Sequence, residues 1–230
     1  MHSLIAIESC QRDVLTLNAA QRATWATPGS PPVCDIRFFY GMAGEVARAV
    51  DEFEISPELG DCVYLPVPDD YLALSLKTRA ICAWALDHDY DMLHIVDSDT
   101  YVRPGYLDES GDYIGMLARE TQYGSYCWGA FYSLSRRAME LVANAQELPS
   151  VYEDVCTGLI MQKAGIEPTV DPSRFLLTKV GGHVNRNWNE IPADFSAVAE
   201  LTPKEMRRFH SHVMAGTVHK MKSGPLRIGR

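Results

Sequence analysis

The sequence predicts a single α/β domain built around a mainly parallel central sheet. Apolar, strand-like runs alternate along the chain with segments of helical spacing, as they do in parallel β-α-β units. Hydrophobic residues make up 47% and charged residues 22% of the 230 residues, a globular composition that excludes disorder, collagen and coiled coil. No internal repeat or low-complexity linker divides the chain, so we expect one domain over residues 1–230.

The first half of the alternation consists of three strands and two helices. Residues 4–9 are an apolar run that opens the chain as a strand, and residues 13–25 have helical spacing. Residues 35–41 are rich in β-forming residues and end at a glycine, and a helix is expected over residues 44–53. Residues 62–67 form a short strand that two prolines end.

The second half continues the pattern. Residues 71–87 place apolar side chains on one helical face, and residues 91–99 follow as a strand. Residues 126–135 are predicted to be extended, and helices are predicted over residues 136–146 and 151–163. The alternation therefore extends over most of the chain.

Two later segments have a clear local character. Thr202-Pro-Lys-Glu205 has the composition of a helix start, with Thr as N-cap, Pro at the first helical position and Glu at the third. Residues 175–189, which contain a Gly-Gly pair, are expected to form an irregular loop. Long loops in compact domains are often functional.

The formal net charge of −9 is unevenly distributed. From about residue 203 onward there are seven Lys and Arg residues and one acid, Glu205. An acidic body with a basic C-terminal segment suggests that this segment meets an anion, and the alternative is a solvated tail.

Cysteine usage and the N-terminus predict the compartment. The six cysteines are widely spaced and include no Cys-x-x-Cys pair, which favours buried free thiols in a reducing compartment. The N-terminus lacks a basic region and reaches Glu8 too early for a signal peptide, and no apolar run is long enough to span a bilayer. We therefore expect a cytoplasmic protein without a membrane anchor.

The most informative local feature is the triplet Asp97-Ser-Asp99, which follows the apolar run of residues 92–96. Acids at positions i and i+2 lie on the same side of a strand end, and open α/β sheets bind ligands at that edge. Two carboxylates there suit Mg²⁺ or Mn²⁺ bridging a diphosphate. The alternative is a polar turn after a buried strand.

A second acidic pair, Glu153-Asp154, begins a predicted helix. A carboxylate at a helix start can project into a cleft as a general base. The structural alternative is a capping box from Ser150 to Glu153, with acids in the first turn favoured by the helix dipole.

A third cluster lies near the C-terminus and contains His210, His212, His219 and Lys220. One of the first two histidines could ligate a metal ion, with Lys220 available for a phosphate. The alternative is a set of exposed side chains in a basic tail.

Taken together, these segments resemble the β-1,3-galactosyltransferase and Fringe-like glycosyltransferases. Six segments carry the resemblance in the family's order over about residues 1–170: Arg22-Ala-Thr-Trp, Phe38-Phe-Tyr-Gly, residues 69–78 (Asp-Asp-Tyr-Leu-Ala-Leu-Ser-Leu-Lys-Thr), Asp97-Ser-Asp99, Trp128-Gly-Ala-Phe-Tyr-Ser-Leu-Ser and Glu153-Asp-Val-x-x-Gly158. The chain departs from the family at Ala73, where an Asn is usual, and at the bulky Trp128.

The resemblance implies a GT-A (Rossmann-like) fold, a divalent metal ion (Mn²⁺ or Mg²⁺) and an inverting transfer from a nucleotide sugar, usually a UDP-sugar. It implies that Asp99 binds the metal directly and that Asp97 holds the ribose or the metal's water shell. Asp154 would deprotonate the acceptor hydroxyl.

The resemblance also implies contacts from more distant residues. Arg22 and Lys77 would contact the nucleotide or its phosphates, and a C-terminal histidine would complete the metal site. His212 is favoured for that ligand, with His210 as the alternative. Without an anchor or stem, this compact member is expected in a bacterial cell or a virus-infected host.

Two acceptor classes stay open, as do two other functions. The acceptor is either a glycan or glycoconjugate, or a hydroxymethylated base in viral DNA that the basic segment and aromatic residues would hold. A non-catalytic nucleotide-sugar-binding subunit is a second hypothesis. A nucleotidyltransferase is a third, although residues 8–12 lack the glycines of a phosphate-binding loop.

Overall fold

The computed structural model describes residues 1–26, 34–42, 54–55, 60–107, 109–120, 122–170, 175–176, 179–180, 183–184 and 195–218. Its strands are β1 (Ser3–Glu8), β2 (Asp35–Gly41), β3 (Glu54–Ile55), β4 (Cys62–Leu65), β5 (Met92–Asp97), β6 (Tyr101–Val102), β7 (Tyr113–Glu120), β8 (Gly124–Ser135), β9 (Thr169–Val170), β10 (Phe175–Leu176), β11 (Lys179–Val180), β12 (His183–Val184) and β13 (Ala197–Val198). Its helices are α1 (Leu17–Arg22), α2 (Leu74–Asp87), α3 (Arg136–Ala143), α4 (Glu153–Lys163) and α5 (Pro203–Met214), with 3₁₀ turns at Gln11–Asp13, Tyr71–Ala73 and Pro104–Tyr106.

Within the described residues, eight of these strands form one sheet in the order β3-β4-β2-β1-β5-β8-β7-β9. β4, β2, β1 and β5 are parallel neighbours, whereas β8 and β3 pair with their neighbours in antiparallel fashion. The expected α/β class with a mostly parallel central sheet is therefore confirmed.

Two hydrophobic cores lie on opposite faces of this sheet. Side chains alternate along β1, so that Ile5 and Ile7 enter one core and Leu4 and Ala6 enter the other. Helices α1 and α5 contribute to the first core, and α2, α3 and α4 contribute to the second. Because β1 is buried on both faces, its sequence is almost continuously apolar.

The predicted element boundaries hold best for the central strands. The strand predicted over residues 35–41 coincides with β2, and β5 lies within its predicted range of 91–99. β1 begins one residue before its predicted range of 4–9 and ends one residue before the end of that range. The helix predicted over residues 13–25 is wrong in length, since α1 has only six residues. The chain before it is held in a 3₁₀ turn, where the backbone N–H of Gln11 donates to Asp69 Oδ2 at 2.8 Å.

The two predicted helix starts have opposite outcomes. At Thr202 the capping box is confirmed, because the Thr202 hydroxyl accepts from Glu205 N–H and the Glu205 carboxylate accepts from Thr202 N–H. The capping box predicted at Ser150 is wrong, because the helix begins at Glu153 and the Ser150 hydroxyl accepts from Tyr152 N–H at 3.0 Å.

Strand β7 was not predicted from the sequence, although residues 114–118 form an apolar run. β8 contains an irregularity opposite β7, where Gly115 pairs with Tyr132 but Leu117 pairs with Cys127. The helix predicted over residues 44–53, most of the predicted loop at 175–189 and the tail beyond residue 218 lie outside the described residues. No helix in the described part of the chain is long and apolar enough to cross a membrane.

Candidate active site

A cleft of about 830 Å³ opens at the carboxyl ends of β1 and β5. It is lined by residues 8–13, 69–71 and 97–99, together with Leu17, Leu74 and Lys77. This volume lies within the range of small-molecule sites, and the carboxyl edge of parallel strands is where α/β sheets bind ligands. The cleft brings together three residues predicted for the site: Asp97, Asp99 and Lys77.

The floor of the cleft is strongly acidic. Glu8 and Asp97 are the last residues of β1 and β5 and lie opposite each other in the strand register. Burial raises the pKa of Asp97 well above its usual range, and the charges of Asp99, Glu8 and Asp154 add to that rise. Burial likewise raises the pKa of Glu8 to about 7, with partial compensation from Lys77 and a hydrogen bond from Thr78.

The acidic triplet lies in a turn that neighbouring segments hold in place. Thr100 N–H donates to the Asp97 carbonyl at 3.1 Å and closes the turn. The Ser98 hydroxyl donates to Asp13 Oδ2 at 3.0 Å, and the Thr100 hydroxyl donates to the Ala130 carbonyl at 3.2 Å. The turn predicted as the alternative to a site is therefore present, and it faces the cleft.

Lys77 is buried in the wall of the cleft. Its ammonium group donates to the Ser9 carbonyl at 2.6 Å and to Asp69 Oδ1 at 3.0 Å. Asp69 also accepts from the backbone N–H groups of Gln11 and Gly41. Lys77 therefore ties α2 to the ends of β1 and β2 and adds a positive charge beneath the cleft.

The two acids at the start of α4 occupy different environments. Glu153 is buried and accepts a hydrogen bond from the Tyr132 hydroxyl. Asp154 is partly exposed, and its Oδ2 accepts from Gly129 N–H at 3.2 Å. Burial raises the pKa of Asp154 above its ordinary value, although hydrogen bonds from the backbone lower it in part. Of this pair, Asp154 is the carboxylate that a ligand can reach.

Asp154 lies close to the cleft. Its charge acts on Asp97 at the floor and on Tyr71, which lines the cleft wall. Asp154 is not among the residues that line the cleft, but it is near enough for its charge to act on two residues that do. The segment between the acidic triplet and Asp154 is held at both ends, by Gly129 to Asp154 and by Ala130 to Thr100.

Arg22 is not among the residues that line the cleft. Its guanidinium donates twice to Asp61, at 2.9 and 3.1 Å, and lies 3.8 Å above the ring of Phe38. In the structure Arg22 joins α1 to Asp61, the residue before β4, and its predicted contact with a nucleotide stays a prediction.

The two candidate histidines on α5 differ in their contacts. His210 Nδ1 lies 2.9 Å from the Tyr101 hydroxyl, two residues after the acidic triplet. His212 Nδ1 lies 3.1 Å from the Thr217 hydroxyl. His210 is thus the one that contacts the strand next to Asp99, and Lys220 lies outside the described residues.

The described residues include no group of three or more His, Cys, Asp or Glu side chains placed to hold a metal ion. The donor set of Asp97 and Asp99 nevertheless suits a hard divalent cation. Burial is the main cause of the raised pKa of Asp97, and a cation beside the two carboxylates would relieve the charge repulsion that adds to it. The carboxylates therefore fit Mg²⁺ or Mn²⁺.

Sequence reasoning assigned no role in the site to four acids that line the cleft: Glu8, Asp13, Asp69 and Asp70. Glu8 is a single acid at the end of an apolar strand, and only the pairing of β1 with β5 places it beside Asp97. Asp13 and Asp69 lie on connecting segments whose proximity the sequence does not reveal. An acid that ends a buried strand, as Asp97 also does, is the signal that could have identified Glu8.

Comparisons with known proteins leave the family open. No family model matches the chain, and no curated protein matches it.

Proposed function

We propose that this chain is a metal-dependent inverting glycosyltransferase with a GT-A fold, which moves a sugar from a nucleotide sugar, a UDP-sugar, to an acceptor hydroxyl. The observation that carries the proposal is the placement of Asp97 and Asp99 in a nucleotide-sized cleft, with Asp154 beside it. The resemblance of six ordered segments to the Fringe-like family supports the same activity.

Asp97 and Asp99 would hold Mn²⁺ or Mg²⁺, with a histidine of α5 as a further ligand. The contact of His210 with Tyr101 favours His210 over His212. When bound, the ion supplies positive charge to the diphosphate and to the leaving nucleotide.

Asp154 would act as the general base. As the acceptor oxygen bonds to the anomeric carbon, the bond from that carbon to the diphosphate breaks, and the hydroxyl proton passes to Asp154. Burial raises the pKa of Asp154, which makes the carboxylate a stronger base. Gly129 N–H donates to Asp154 Oδ2 at 3.2 Å and Val155 N–H donates to Oδ1 at 2.8 Å, so backbone hydrogen bonds orient both oxygens of the carboxylate.

The thiols support a reducing compartment. All six cysteines are free, and burial raises the pKa of each thiol. We place the enzyme in the cytoplasm of a bacterial cell or a virus-infected host.

A thermal-shift assay with UDP and UDP-sugars, each with Mn²⁺ or EDTA, tests the proposal. A ligand at 100 times its dissociation constant stabilises a protein by about 2.7 kcal/mol. We expect a Mn²⁺-dependent shift that Asp99→Ala removes and that Asp87→Ala, at an exposed acid ending α2, retains.

Asp154→Asn separates nucleotide binding from chemistry. This variant should keep the Mn²⁺-dependent thermal shift, and its rate of UDP release from a UDP-sugar should fall by about 10²–10⁴-fold, the usual contribution of a general base. Absence of a shift with every nucleotide, or full turnover in Asp154→Asn, would contradict the proposal.

A further inference from the structure

Two buried amide side chains connect α1 to the acidic triplet. Asn18 and Gln21 are three residues apart on α1, and both side chains are fully buried. A buried amide group lowers the stability of a fold unless hydrogen bonds replace the water that it loses. The partners of these two amides therefore show what the two polar residues do at positions that an apolar residue could fill.

Gln21 bonds to both ends of the turn that carries the triplet. Its Nε2 donates to the Asp97 carbonyl at 3.2 Å and to the Thr100 carbonyl at 3.3 Å. An amide NH₂ group has two N–H bonds, so one side chain can hold both carbonyls at once. Gln21 thereby fixes the first and last residues of the turn, and Asp99 lies between them.

The other end of the Gln21 amide is held by Asn18. Gln21 Oε1 accepts from Asn18 Nδ2 at 3.1 Å. Asn18 Oδ1 accepts from the Ser9 hydroxyl at 2.8 Å and from the Tyr40 hydroxyl at 3.0 Å. We call Ser9, Asn18 and Gln21 the amide network. Because Ser9 lines the cleft, the network runs from the cleft wall through α1 to the triplet.

Backbone carbonyls set the direction of the amide network. A carbonyl oxygen only accepts, so Gln21 must present its NH₂ group to the turn and its oxygen to Asn18. Asn18 must then present its NH₂ group to Gln21 and its oxygen to the two hydroxyls. If either amide turned over, two buried acceptors would face each other. The network therefore has a single arrangement, and the turn is tied to it.

The other contacts of the turn hold its inner residues one at a time. The Ser98 hydroxyl donates to Asp13, and the Asp99 carbonyl accepts from Leu201 N–H at 2.9 Å. Gln21 instead joins the two ends of the turn through one rigid planar group. Hydrogen bonds outside the ligand shell are what hold metal ligands in a fixed orientation.

We propose that Gln21 is a positioning residue of the metal site and that Asn18 orients it. Gln21 keeps the turn in one conformation, so that the carboxylates of Asp97 and Asp99 meet a divalent cation without a rearrangement of the backbone. Gln21 is not among the residues that line the cleft, so it acts through the turn. This inference rests on the proposed function, which supplies the metal ion.

Mn²⁺ affinity tests the inference without turnover. The dissociation constant of the nucleotide-free chain is measured from the electron paramagnetic resonance signal of free Mn²⁺. Gln21→Met keeps the length of the side chain and removes all of its hydrogen bonds. We expect it to raise the dissociation constant at least about tenfold, within the range usual for partners outside the ligand shell. Asn18→Leu should raise it less, because Gln21 stays in place.

The double variant Asn18→Leu/Gln21→Met distinguishes positioning from a general loss of structure. If Asn18 acts only through Gln21, the double variant should bind Mn²⁺ as weakly as Gln21→Met alone. Two independent structural effects would instead add. If Gln21→Met does not fold by circular dichroism, Gln21→Asn, whose amide is one methylene shorter, takes its place with the same expectation.

Ser196→Ala is the matched control. Ser196 is buried, and its hydroxyl donates to the Tyr106 carbonyl at 2.6 Å, so the variant loses the same kind of bond outside the turn. It should bind Mn²⁺ as the unmodified chain does. An equal loss of affinity in Ser196→Ala and Gln21→Met would overturn the inference.

Two further results separate the inference from the proposed function. Unchanged Mn²⁺ affinity in Gln21→Met, or additive losses in the double variant, would overturn the inference alone. The Mn²⁺-dependent thermal shift with UDP is measured on the same preparations. If the unmodified chain shows neither that shift nor Mn²⁺ binding, the proposed function fails and the inference fails with it.

Discussion

Burial at the end of β1 gives Glu8 an unusual acid–base behaviour. Its carboxyl group is enclosed beneath the cleft, and Lys77 and Thr78 offset only part of the desolvation. The pKa of Glu8 is raised from 4.5 to about 7. The folded state therefore binds a proton more tightly than the unfolded state does, and this proton is lost as the pH rises toward neutrality.

The consequence is a pH-dependent stability that Glu8→Gln should remove. Since the folded pKa lies above the unfolded one, the contribution of Glu8 to the free energy of unfolding is full below pH 4.5 and is lost as the pH rises through about 7. The shift corresponds to about 3 kcal/mol at most. Urea unfolding of both proteins between pH 5 and 8, without metal, measures the difference in slope.

Glu147→Gln is the control, because Glu147 is exposed and lies in the segment between α3 and α4. It should follow the pH dependence of the unmodified chain. Parallel curves for Glu8→Gln and the unmodified chain would show that Glu8 is ionised in the folded state at pH 5.

Sequence patterns identify site residues when the residues that act together are close to each other in the chain. Asp97 and Asp99 are two apart, so their common direction follows from strand geometry. Glu8 and Asp69 reach the same cleft from elsewhere in the chain, through strand pairing and a hydrogen bond to Lys77. Their roles depend on tertiary contacts that local patterns do not contain.

At the scale of elements, one carboxylate joins three parts of the fold. Asp69 precedes α2 and accepts from Gln11 N–H, Gly41 N–H and the Lys77 ammonium. Both charged side chains of the Lys77–Asp69 pair are buried. Removing one member of a buried pair leaves the other charge without compensation.

Asp69→Ala should therefore lower the free energy of unfolding by about 3–5 kcal/mol. Asp70→Ala is a close control, since the neighbouring Asp70 is exposed and caps the 3₁₀ turn by accepting from Ala73 N–H. Its loss should cost only about 1 kcal/mol. Urea unfolding at pH 7 compares the two, and equal losses would refute the importance of the buried pair.

The two capping predictions show why an element boundary can escape the sequence. Thr202 and Glu205 bond with each other at the start of α5, and the capping box forms. Glu153 instead enters the core and bonds with Tyr132, so it cannot fold back toward Ser150. A tertiary contact thus overrides a valid local signal.

At the scale of the whole molecule, the two cores share the same strands. β1 and β5 contribute alternate residues to both faces, so neither core can be lost without exposing the other side of the sheet. The α/β class and the alternation of strands and helices along the chain followed from periodicity alone. The antiparallel placement of β8 did not, because pairing direction is set by the route of the connections.

This arrangement predicts a single cooperative unfolding transition. Trp25 lies in the core next to α1, and Trp84 lies in the opposite core. Variants that keep only Trp25 or only Trp84 of the chain's four tryptophans should report the same urea midpoint by fluorescence as by far-UV circular dichroism of the same variant. Distinct fluorescence and dichroism midpoints would show that the two faces unfold separately.

The irregular part of β8, residues 128–130, lies outside the hydrogen-bonded ladders of the sheet. In the described structure, residues 128–130 pair with neither β5 nor β7, whereas residues on both sides of them do. The exposed side chain of Trp128 can therefore change without loss of ladder hydrogen bonds, whereas a Cβ atom at Gly129 would meet Glu153 Oε2 at 3.0 Å. Descendants of this protein can change the exposed side chain at position 128 while they inherit an unaltered sheet, so new surface chemistry can arise there without disturbing the fold.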